Sequence, residues 1–105
     1  MNDAARNSVA EALENLASQE SWNPAVWQKC FNLVTANWGD ELMEFVNHDL
    51  ILYDDLFHPR HILGFRLKPD FQRLADYRRD FRAVATALRA HMSLVEAKRQ
   101  FGLSL

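Results

Sequence analysis

Apolar residues recur three and four apart along most of this chain, and the rhythm breaks at only a few places. Over residues 4–19, Ala5, Val9, Ala12, Leu13, Leu16 and Ala17 share one face, with Glu11, Glu14 and Asn15 opposite. That spacing predicts an amphipathic helix. Asn23-Pro24 supplies an N-cap and a proline at the first helical position of a second helix. Its predicted buried stripe is Trp27, Phe31, Val34 and Trp38, and Gly39 is its predicted left-handed stop.

The third segment carries two readings. Asp40 can cap a helix over residues 41–57 with Leu42, Met43, Val46, Leu50, Tyr53 and Phe57 along one side. Pro59 ends it, because His58 before a proline is pushed out of the helical region. In the competing reading, Leu50-Ile51-Leu52-Tyr53 is a strand that pairs with the alternating Leu63, Phe65 and Leu67 across the Asp54–His61 turn. The helix is preferred, since its 3.6-residue pattern starts cleanly at Leu42.

From Asp70 to Gly102 the chain has neither glycine nor proline. Leu74, Tyr77, Phe81, Val84, Leu88, His91 and Val95 form an unbroken seam, broadened by Ala85 and Met92. One continuous helix over residues 70–91 is expected, and Ser93 with Glu96 reads as a capping box that opens a further short helix. Arg78, Arg82 and Arg89 run along one margin of the seam, with Asp76 and Asp80 towards the other. His91, the polar member of the seam, is expected to be buried and hydrogen-bonded, or to mark the register of helix pairing. Acid would then destabilise the fold by forcing its ring to protonate. The pattern as a whole predicts an all-α fold of four to five helices, one domain over residues 1–105, with the long C-terminal helix as its spine. The alternative is α+β with a short hairpin at about residues 50–67.

Charge adds a second layer to this picture. Residues 1–59 set two basic side chains against ten acidic ones, a net −8, whereas residues 60–105 set ten against four, a net +6. The two halves can attract each other within the fold or across a dimer, or offer separate faces to separate partners. An alanine-rich side at Ala83, Ala87 and Ala90 favours a symmetric homodimer. The single cysteine, Cys30, falls in an apolar helical pattern and reads as a buried, unreactive thiol. No charged-then-apolar leader follows Met1, and no run approaches the ~20 apolar residues that span a bilayer. A soluble cytoplasmic protein is expected.

Candidate chemistry is sparse. His48, Asp54, Asp55, His58 and His61 bear the ligand types a metal would choose, but Pro59 prevents the helix that would align His58 with His61. Asp54, Asp55 and His58 could also serve acid–base chemistry, or simply form a turn. No nucleophile elbow, phosphate loop or paired-glycine fingerprint is present, so no catalytic residue, metal ligand or cofactor is assigned. The arginines of the long helix invite a nucleic-acid reading, and residues 93–104 resemble the first helix and turn of a helix-turn-helix. With the chain ending at Leu105, where a recognition helix would begin, that motif is read as incomplete. The acidic half would also repel phosphate. Trp27 and Trp38 read as core, and Trp22 as a hydrophobic staple or an interface residue.

The resulting expectation is a small non-enzymatic interaction or regulatory protein, homo-oligomeric, that engages a protein partner through Arg78, Arg82, Arg89 and His91. A DNA-binding regulator and a metal-dependent enzyme with a site around residues 48–61 are the alternatives.

Overall fold

Each helix begins where a side chain takes over an otherwise unsatisfied backbone amide. The computed structural model describes residues 1–58, 60–62, 65–67 and 70–103. Asn2, Asn23, Asp40, Asp70 and Ser93 are the N-caps of α1 (Asp3–Ala17), α2 (Pro24–Ala36), α3 (Glu41–Phe57), α4 (Phe71–Arg89) and α5 (Leu94–Phe101). Ser93 and Glu96 form the reciprocal capping box expected from the sequence. Between α3 and α4 lies a small antiparallel hairpin, β1 (Arg60–Ile62) with β2 (Phe65–Leu67), with His61 opposite Arg66. The fold class is all-α.

Four helices enclose the core: α1 packs on α2 and α4, and α3 packs on the same two. The core combines Val9, Leu13 and Leu16 from α1, Cys30 and Val34 from α2, Leu42, Met43, Val46, Leu50 and Tyr53 from α3, and Phe81, Val84 and Leu88 from α4. An aromatic ladder joins α2 to the other helices. Trp22 stacks on Phe57 at 5.0 Å, Tyr53 meets Phe57 and Phe81 edge-on, and Trp27 stacks on Phe31. Trp22 and Trp27, 6.1 Å apart, occupy the two positions of a hydrophobic staple around the Asn23 cap. The Trp27 indole also donates a 3.0 Å hydrogen bond to the Leu50 carbonyl of α3.

Three expectations need correction. The helix over 41–57 forms, but a hairpin exists as well. It pairs residues 60–62 with 65–67, so Leu50–Tyr53 is not one of its strands. Trp38 is not core; it is 59% exposed, because α2 ends at Ala36 and the turn through Gly39 (φ +106°) carries the chain off the buried stripe. The seam of α4 is buried through Leu88 and then stops. His91 takes a left-handed conformation (φ +56°), its amide bonds to the Leu88 carbonyl, and the Met92 amide bonds back to Ala87 at 2.9 Å. That is a Schellman turn with histidine in the position glycine usually fills. His91 is therefore exposed at a helix end, and Val95, beyond the turn, is 67% exposed rather than seam.

Candidate functional site

Two aspartates lie inside the molecule. Among the described residues, Asp49 on α3 and Asp80 on α4 are the buried charged residues of the core. Both sit in the apolar rhythm of their helices, Asp49 between Val46 and Tyr53, Asp80 between Tyr77 and Val84, so folding carries them inward with their neighbours. Asp80 lies 3.4 Å from the Arg79 guanidinium, whose side chain reaches solvent. Both carboxyl oxygens of Asp49 are buried without a hydrogen-bond partner. Burial pushes the Asp49 carboxyl up to about 7, and the nearby charge of Asp80 pushes in the same direction. A carboxylic acid that holds its proton near neutral pH is chemically available for proton exchange. The sequence signal for this pair was its spacing, since both residues fall at core positions of otherwise apolar stripes.

Of the residues expected to form a polar site, the structure brings Asp54 and His58 together. His48 and Asp55 are exposed, and Asp54 pairs with His58 at 3.0 Å one turn apart at the open end of α3. His61 lies in β1, outside the residues whose side chains are described. Among the described residues no group of three or more histidine, cysteine, aspartate or glutamate side chains is placed to hold a metal ion. Cys30 is fully buried and its thiol is pushed up to about 12 by desolvation, which makes it a poor nucleophile.

The basic margin of α4 is largely engaged inside the molecule. Arg82 donates to the Ala17 carbonyl at the end of α1 (3.0 Å), and Arg89 pairs with Glu14 of α1. Arg78 is partly buried, with its Nε shielded from solvent. His91 pairs with Asp3 at 3.2 Å, and Arg6 of α1 reaches the Leu88 carbonyl at 3.4 Å. Of the three roles open to the charge split, attraction within the fold is thus realised between α1 and α4. In comparisons with known proteins, the chain matches no family model, no curated protein and no solved structure. No helix among the described residues is long and apolar enough to cross a membrane.

Outside the core, large apolar side chains face solvent on oppositely charged helices. Ile51 is half exposed on the outer stripe of α3 that also carries Glu44, His48 and Asp55. Phe71, 73% exposed, heads a stripe of α4 that continues through Ala75, Arg78 and Arg82.

Proposed function

We propose that this protein is a non-enzymatic interaction module of the cytoplasm whose first partner is a second copy of itself. The observation that carries the reading is the pairing of Ile51, within an acidic stripe, with Phe71, at the head of a basic one. Two copies related by a two-fold axis can bring each apolar residue onto the oppositely charged helix of the other. The alanine-rich side offered by the sequence does not support the dimer, because Ala87 is already buried in the core of its own chain. Nucleic acid is the weaker reading, since Arg89 is already paired with Glu14 of α1 and the acidic half of the chain repels phosphate. A lone buried thiol suits a reducing compartment.

Sedimentation equilibrium at micromolar concentrations tests this. The expected result is a mass twice the 12.2 kDa of the chain, restored to the monomer value by Ile51→Lys or Phe71→Glu. A monomer throughout, or a dimer indifferent to both substitutions, overturns it.

A further inference from the structure

We propose that Asp49 makes the contact between α3 and α4 a proton-operated joint, closed while Asp49 carries its proton and loosened when the proton leaves. The geometry buries one carboxyl group on each of two helices that pack together, and neither oxygen of Asp49 has a hydrogen-bond partner. A neutral carboxylic acid is tolerable there, whereas a charged one would be held away from solvent with no hydrogen bond to its oxygens.

No hydrogen bond from the described elements reaches the Asp49 oxygens. From α4, Asp80 acts on Asp49 by its charge, and the Arg79 guanidinium lies 3.4 Å from Asp80 and extends to solvent. From α5, Lys98 lies over the Phe45 ring, one turn earlier on α3, with its Nζ 5.7 Å from the ring centre. The charged side chain of α2, Lys29, is exposed. On α3 itself, His48 and Asp55 point to solvent and Asp54 is paired with His58.

The direction of the effect follows from proton occupancy. In the unfolded chain Asp49 releases its proton near the ordinary 3.8, and in the folded protein near 7. Between those values the folded state holds one proton more than the unfolded state, so stability falls as pH rises, and the dependence ends above about 7. Each pH unit inside the window changes the folding equilibrium by up to about tenfold.

Two measurements on the wild-type protein test this together: the ¹³C titration of the Asp49 carboxyl, and amide-exchange protection factors along α3 and α4 between pH 5 and pH 8. The expected result is a carboxyl midpoint near 7, with protection falling by about tenfold or more over that range. A midpoint below 5, or protection that stays level across a midpoint near 7, overturns the proposal. Asp49→Asn keeps the shape and removes the proton; where it folds, its protection should be level, and an unchanged pH dependence would also refute the joint.

Discussion

His91 occupies a backbone conformation that costs any side chain with a Cβ and suits glycine. Its exposed contact with Asp3 returns little of that cost. His91→Gly is therefore expected to stabilise the protein by about 0.5–1 kcal/mol, after the added freedom of the unfolded chain is subtracted, as read from the urea midpoint. A loss of stability would mean that the imidazole contributes more than its geometry indicates. The same residue shows where the sequence misleads. The three-four rhythm of α4 runs straight on to His91 and Val95, and no glycine marks the turn that separates them from the seam. Gly102, by contrast, announces the end of α5 and takes the left-handed cap. Asp80, which the sequence places at the margin of the seam, and Asp49 are buried for the opposite reason: the three-four spacing carries a carboxylate into the core as readily as an apolar side chain.

Helix starts were the most legible elements, because Asn23, Asp40 and Ser93 are cap residues directly ahead of apolar periods. The choice between helix and strand at Leu50–Tyr53 is decided by packing. Leu50 and Tyr53 are buried on one helical face, and Tyr53 meets both Trp22 and Phe81. An alternating strand would have turned one of them outward. Ends that depend on backbone turns, as after Ala36, were less legible, and Trp38 was misplaced with them. Two substitutions separate global from local stability. Phe81→Ala, at the junction of α3 and α4, should cost about 3–5 kcal/mol in denaturant unfolding. Ser93→Ala removes one cap and should cost only about 1 kcal/mol, with lost protection confined to the start of α5.

At the scale of the molecule, the near-neutral total conceals an acidic α1 laid against the basic margin of α4. The pairs formed are partly exposed, so their contribution is modest. A double-mutant cycle on Glu14→Gln and Arg89→Gln should give a coupling of about 0.2–1 kcal/mol that shrinks in 1 M salt. A coupling unchanged by salt would contradict this surface assignment. The charge split was plain in the sequence, but its use was not, because composition cannot say which helices become neighbours. One buried group also gives this architecture a clock. Cys30 is sealed in the core on α2, with a thiol that keeps its proton in the folded state. A thiol-modifying reagent can reach it only when α2 parts from the helices beside it. The rate of covalent labelling therefore counts those openings molecule by molecule under native conditions, with no denaturant and no introduced dye.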